Sequence, residues 1–192
     1  MTKLYRGIIA ALLLAALSDA AYAQTSAEKL RIIGESTSFT IQTAQGPVVI
    51  TRTMTPCAKN KGWLQPLVPI KGIHPVAEID ILNALNDKQA LVVDMRKLDD
   101  RLHGTIPGSI SIPFNDIADH LEQLGCTKTG SSYDCKAAKK VYAFCNGPVC
   151  PQSPMAMEEM VQSGFPPDRI YYYHGGMLAW EALGLTVEHG AR

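Results

Sequence analysis

Residues 140–164, KVYAFCNGPVCPQSPMAMEEMVQSG, constrain the fold more than any other part of the chain. An apolar run, Val141 to Phe144, reads as a buried strand. Met155, Met157, Met160 and Val161 then follow a helical pattern, and Gly164 stands where a helix C-cap would. The loop between them, Cys145 to Ser153, opens on one cysteine and contains Gly147, Pro148, Pro151 and a second cysteine, Cys150. A thiol at the carboxyl end of a strand, facing the amino end of the next helix, meets unpaired N–H groups and the positive end of the helix dipole. Both favour an anion and lower the thiol pKa.

The flanking segments set this unit in an alternating pattern. Pro75 suits the first turn of a helix whose Val76, Ile79, Leu82 and Leu85 share a face. Ala90 to Val93 reads as a buried parallel strand leading to Asp94-Met95-Arg96. Residues 104–109 form a turn, Ile110 to Ile112 a short strand, and Asp116 to Leu124 a helix. After the central stretch come a strand at Ile170 to Tyr173, a break at Gly175-Gly176, a short helix at Met177 to Leu183, and an edge strand at Leu185 to Val187. The expected fold over 73–188 is therefore α/β, a mostly parallel sheet with helices on both faces. Upstream, residues 24–36 are a polar leader. A β-hairpin follows from Thr37 to Met54, and a connector runs from Pro56 to Gly72, with Trp63 pinning it to the main domain.

The N-terminus has a separate purpose. Lys3 and Arg6 precede an apolar run, Ile8 to Leu17, and Ala21-Tyr22-Ala23 is an A-x-A cleavage site, the three-part pattern of a secretory signal peptide. The run is short for a membrane span. The expectation is cleavage after Ala23 and a periplasmic or secreted product that is not held in the membrane. The whole chain has 18 basic and 18 acidic residues; losing Lys3, Arg6 and Asp19 leaves 16 and 17. That balance provides no basic footprint for nucleic acid.

All five cysteines, Cys57, Cys126, Cys135, Cys145 and Cys150, lie beyond the signal, where an oxidising compartment lets disulfides persist. An odd count leaves at least one thiol free or paired with another molecule. Cys126 and Cys135 flank a short polar stretch containing Gly130 and Ser131, so a structural disulfide closing a hairpin-like excursion is expected. Such a bridge contributes about 2–3 kcal/mol on the chain-entropy estimate.

Four segments carry a resemblance: LVVDMR (91–96), HGTIPGSISIPF (103–114), VYAFCNGPVCPQS (141–153) and YYYHGGMLAW (171–180). In this order and spacing, residues 73–188 resemble a rhodanese-like domain, and the Cys-Asn-Gly-Pro opening with the N-terminal hairpin resembles its exported, single-domain members. The resemblance implies that Cys145 is the sulfur-carrying nucleophile. It would take a sulfane sulfur from a donor such as thiosulfate, hold it as a persulfide, and pass it to a thiol or another thiophilic acceptor. Asn146, Gly147, Pro148, Val149, Cys150, Gln152 and Ser153 would then form the substrate-binding loop. No cofactor is implied, and the expected partner is a small sulfur donor or a periplasmic thiol protein.

The loop departs from the family pattern of a cysteine, four residues, an arginine and then serine or threonine. Ser153 comes two residues late, Gln152 stands where the arginine would, and no Arg or Lys occurs between Cys145 and Met160. A neutral glutamine cannot pair with an anionic donor as a guanidinium does, and the longer loop is expected to open a wider mouth. Cys150 permits two further readings: thiol–disulfide exchange with Cys150 as resolving thiol, or an inert binding module. Sulfur ligands at Cys145, Cys150, Met155 and Met157 would suit Cu(I), but the methionines read better as helix core, and no metal site is expected. His103 and His174 approach the rim of the site, while Asp94 and Arg96 read as an ion pair that positions loops.

Overall fold

The computed structural model describes residues 29–54 and 62–191. The expected signal peptide and Cys57 lie outside them. The N-terminal extension is a small antiparallel sheet of β1 (Lys29–Leu30), β2 (Ser38–Thr43) and β3 (Gly46–Thr53), in the order β1-β3-β2. The β2–β3 hairpin turns on Ala44 and Gln45, with Thr43 paired to Gly46. β1 comes from the stretch read as a polar leader, and its Leu30 is buried opposite Arg52. Two residues carry too little periodicity to be recognised as a strand.

The rest is an α/β domain. In chain order it comprises β4 (His74–Pro75), α1 (Glu78–Ala84), β5 (Ala90–Asp94), α2 (Leu98–His103) and β6 (Ile110–Ser111). There follow β7 (Thr127–Thr129), β8 (Ser132–Asp134), β9 (Lys140–Phe144), α3 (Gln152–Gln162), β10 (Ile170–Tyr173) and α4 (Gly176–Ala182). Five strands form one sheet in the order β4-β10-β9-β5-β6, parallel at every pairing. The central strands are apolar because both of their faces are covered. On one face Val93, Val141, Ala143 and Tyr172 pack with Ala156, Met157 and Met160 of α3. On the other Val92, Phe144 and Tyr173 pack with Ile81 of α1 and Met177 and Trp180 of α4.

Several local expectations are corrected. Pro75 lies in β4, paired with Tyr172, and the helix starts later, at Glu78, where the Asp80 carboxylate accepts from the Ala77 N–H. That start rotates the helix, so Ile81 and Ala84 are buried while Ile79 and Leu82 face outward. Asp116 to Leu124 forms a short 3₁₀ helix, Ile117–His120, followed by turns, instead of an α-helix. Leu185 to Val187 is no strand; backbone bonds of Glu188 to Thr105 tie down the chain end. Cys126 and Cys135 are bridged at 2.07 Å beside the β7–β8 hairpin.

The carboxyl edge of the sheet is organised by Asp94, which is inaccessible to solvent. Arg96 donates to its two oxygens from Nε at 2.9 Å and Nη2 at 2.7 Å. Thr105 Oγ1 donates at 2.7 Å, and Arg101 Nη1 stands 3.6 Å away. Arg101 also holds Ser109, through Oγ at 2.9 Å and the carbonyl at 2.7 Å. Removing one member of a buried charge cluster strands the others in a dry interior. Asp94→Ala is therefore expected to cost about 3–5 kcal/mol in denaturant unfolding; a loss below about 1 kcal/mol, the size of a surface pair, would remove the cluster from this role.

Candidate active site

Cys145 follows β9 directly, at the centre of the carboxyl edge, and the chain from Asn146 to Pro151 curls over it into α3. Two backbone devices hold this loop. The N–H groups of Met177 and Leu178, in the first turn of α4, donate to the carbonyls of Cys145 and Asn146, both at 3.0 Å. Such close approach needs glycine: Gly176 sits at φ +53, and a Cβ there would lie 2.3 Å from the Cys145 carbonyl oxygen. Within the loop the Cys150 N–H closes a turn on the Gly147 carbonyl at 2.9 Å. The Asn146 Oδ1 accepts from Arg96 Nη1 at 3.3 Å, which joins the loop to the Asp94 cluster.

The helix begins at Gln152, so Gln152 and Ser153 occupy the first turn of α3 and the loop proper ends at Pro151. Pro154 is tolerated there because first-turn N–H groups have no intrahelical partner. The expected wide mouth is absent. Cys145 is 1% exposed, Val149 5% and Cys150 3%, so the loop closes over the thiol. From outside, the Gln65 N–H donates to the Pro148 carbonyl at 2.7 Å, and His174 Nε2 donates to the Gln65 carbonyl at 2.8 Å. The connector is thus a strap across the loop. Trp63, expected to pin it to the main domain, is partly exposed and lies under the Arg31 guanidinium at 5.2 Å, so it also reaches the N-terminal sheet.

Two clefts flank the covered thiol. One, of about 620 Å³, is lined by Arg96, His103, Asn146, Leu178, Glu181 and His189 among others. The other, of about 710 Å³, lies between Trp63, Gln65 and Ile70 of the strap and Pro151, Met155 and Glu158 at the start of α3. His103 faces the first cleft, with Nδ1 on the Asp99 carbonyl. His174 faces the strap. Met157 and Met160 are core, and Met155 is half exposed on the second cleft.

Both thiols of the site are free. Burial pushes the Cys145 thiol up. It is outweighed by hydrogen bonds from the Cys150 thiol, the Ser153 hydroxyl and the N–H groups of Ser153 and Gly147, which bring it from 9.0 down to about 7. No arginine or lysine contributes. Cys150 is pushed the other way, first by its hydrogen bond to Cys145 and then by burial, so it stays a thiol while Cys145 ionises. While Cys145 is a thiol, the Cys150 S–H points instead to Gln152 Oε1 at 3.5 Å. The site therefore pairs a thiol of lowered pKa with a neighbouring thiol whose pKa is raised.

A parallel α/β sheet that presents a cysteine at the carboxyl end of a central strand, under a loop bound by the amides of a following helix, defines the class of domain to which this fold belongs. This chain belongs to the rhodanese-like family, whose domain model matches residues 79–183. It is 29% identical over 116 residues to a helix-turn-helix-type transcriptional regulator of Mycobacterium tuberculosis, covering 60% of this chain and 45% of the regulator. The chain thus spans less than half the length of that curated relative. Among solved structures it superposes on the BH2092 protein of Bacillus halodurans with a TM-score of 0.50 and 25% identity, covering 62% of this chain and 78% of that one. A thiosulfate sulfurtransferase of Pseudomonas aeruginosa aligns with a TM-score of 0.47 and 22% identity, over 60% of this chain and 20% of that one.

The sequence placed Cys145, Cys150 and Ser153 together, and the structure brings them into contact. It did not single out Gly176, whose signal was the Gly175-Gly176 pair, nor Gln65 and Tyr172, which had none.

The ultraviolet thiolate absorbance of reduced protein is expected to rise with a midpoint at about 7, and Cys145→Ser is expected to remove that step. A midpoint at the ordinary cysteine value, about 8.5, would show that the donor shell is ineffective. The sign for stability follows. With its folded pKa depressed, Cys145 binds fewer protons folded than unfolded between about 7 and 9.0. The wild-type Tm advantage over Cys145→Ser should grow as pH rises through that window and be lost as pH falls through about 7.

Proposed function

We propose that this chain is an exported sulfurtransferase that carries sulfane sulfur as a persulfide on Cys145 and passes it to a thiol or another thiophilic acceptor. The observation that carries this reading is the donor shell around Cys145, which lowers its pKa with neutral hydrogen-bond donors alone. In the first half-reaction the Cys145 thiolate attacks the outer sulfur of a donor, R–S–S⁻. A new S–S bond forms on Cys145, the donor's S–S bond breaks, and R–S⁻ leaves with the electron pair. In the second, an acceptor thiolate attacks the outer sulfur and Cys145 departs as thiolate. The second leaving group, the Cys145 thiolate, is stabilised as an anion by the N–H groups of Gly147 and Ser153, while R–S⁻ departs with the donor. Export is supported by the Met1–Ala23 pattern and by the Cys126–Cys135 bridge, which suits an oxidising compartment.

The missing cation bears on the donor. Gln152 offers no charge to the thiosulfate dianion, so a thiol-bound persulfide, with its single negative charge, is the better substrate for this shell. A second reading is favoured by the contact between the two free thiols. Cys145 attacks a partner disulfide, and Cys150 then displaces the second partner thiolate, closing a Cys145–Cys150 bridge.

Mass spectrometry after treatment with cysteine persulfide or thiosulfate separates the readings. One added sulfur atom on Cys145, discharged by a thiol and absent in Cys145→Ser, is the expected result. A Cys145–Cys150 bridge without sulfur gain supports exchange, and neither product means a binding module. Gln152→Arg is expected to raise the rate of thiosulfate loading about tenfold, the effect of roughly 1.4 kcal/mol of added anion stabilisation.

A further inference from the structure

Among the described residues, three buried side-chain polar atoms lack a hydrogen-bond partner: Arg101 Nε, Ser153 Oγ and Tyr172 OH. The first belongs to a guanidinium whose other nitrogens are engaged with Thr105 and Ser109. The other two interact electrostatically with Cys145: Ser153 helps to lower its pKa, and its charge helps to raise that of Tyr172. Tyr172 stands opposite Ala143 in the β10–β9 pairing, and Ala143 and Cys145, two residues apart, point to the same face of the sheet. A strand advances about 3.3 Å per residue. Cys145 therefore lies about 7 Å further along that face, a step that a phenol is long enough to span over the small Ala143 methyl. The ring is wholly buried and meets the His174 ring edge-on at 5.6 Å. Burial, then the charges of Cys145 and Cys150, push the phenol pKa up, so the group remains a neutral donor beside both sulfurs.

Buried hydroxyls are nearly always satisfied, and an apolar side chain would have filled this position without leaving a group unpaired. In the resting thiol state nothing accepts from Tyr172. Cys145 Sγ instead turns its proton to the Cys150 carbonyl at 3.4 Å. Once Cys145 ionises, its own sulfur is served by Cys150, Ser153 and the N–H groups of Ser153 and Gly147. A second sulfur attached to it needs a donor of its own, and the Tyr172 hydroxyl is buried and unpaired. We propose that the Tyr172 hydroxyl donates a hydrogen bond to the outer sulfur of a persulfide on Cys145, so that loading the site satisfies a group left unpaired when it is empty. The assignment rests on the sulfur-carrying reading of Cys145. It gives the cation-free site a specific neutral donor for the transferable atom.

The ionisable groups facing that sulfur are Cys150 and Tyr172, with His174 behind the phenol ring. Tyr172→Phe tests the proposal in the full chain. Tyr171→Phe serves as a control, because Tyr171 stacks with Tyr142 and His74 on the other face of the sheet. Reduced Tyr172→Phe is expected to melt no lower than wild type, since it loses only an unpaired hydroxyl. Loading with cysteine persulfide should raise the Tm of wild type and of Tyr171→Phe, and this gain should vanish in Tyr172→Phe. The ionisation midpoint of the near-ultraviolet persulfide band should move up by about one pH unit in Tyr172→Phe. An unchanged midpoint with the full Tm gain overturns the role of Tyr172 and leaves Cys145 as carrier. A reduced Tyr172→Phe that melts well below wild type overturns it too, by showing that the hydroxyl already has a structural partner. Wild-type protein that takes up no sulfur on Cys145 from either donor overturns both readings.

Discussion

The Asp94 carboxylate is buried at the end of a central strand, and the geometry of the sheet's carboxyl edge depends on it. Arg96 and Arg101 bring two positive charges to a single negative one, and Thr105 adds a hydroxyl. Through them Asp94 gathers α2, the turn at 104–109 and, by way of Asn146, the cysteine loop. Buried charge clusters contribute little net stability, because desolvation offsets most of the attraction. They are, however, unforgiving of displacement. Arg96 can satisfy Asp94, the Gly104 carbonyl and Asn146 together only in one arrangement, and that arrangement fixes where the loop begins.

From that fixed start the loop is shaped by backbone groups more than by side chains. The amides of α4 hold its first two carbonyls, and the amides of Gly147 and Ser153 face the thiol. Because these donors belong to the main chain, the site lowers a thiol pKa in a dry environment without introducing a second buried charge. A guanidinium would add affinity for a dianionic donor, but it would need a counter-charge or solvent to remain tolerable. The chain instead offers neutral hydroxyls and a neutral thiol, and covers the sulfur with Val149 and a strap anchored at Gln65. Protection of the sulfur and weak recognition of charge thus have the same origin.

The alternating apolar runs made the parallel sheet legible, because strands covered on both faces must be apolar along their length. The strand–cysteine–helix unit was legible for a related reason: few local structures place a cysteine between a buried strand and an amphipathic helix. Three short elements were not. β1, β4 and α2 have no period to display, and the buried face of α1 depended on where the Asp80 cap started the helix. The width of the site was misjudged because a longer loop can bulge outward or fold inward. Only the packing of Val149 and Cys150 over Cys145, with Gln65 above, decided between them.

By itself, then, the sequence determined the fold class and the family, and it singled out Cys145 as the candidate sulfur at the sheet edge. These depend on local pattern and on motifs whose parts lie close together in the chain. Tertiary structure alone decided what surrounds that sulfur. Gln65, Arg96, Tyr172 and Gly176 come from four separated segments, and their partnership with the loop arises from strand order and register. Hydrogen bonds are directional and act over about 3 Å, so their partners become known only when the chain has brought them together.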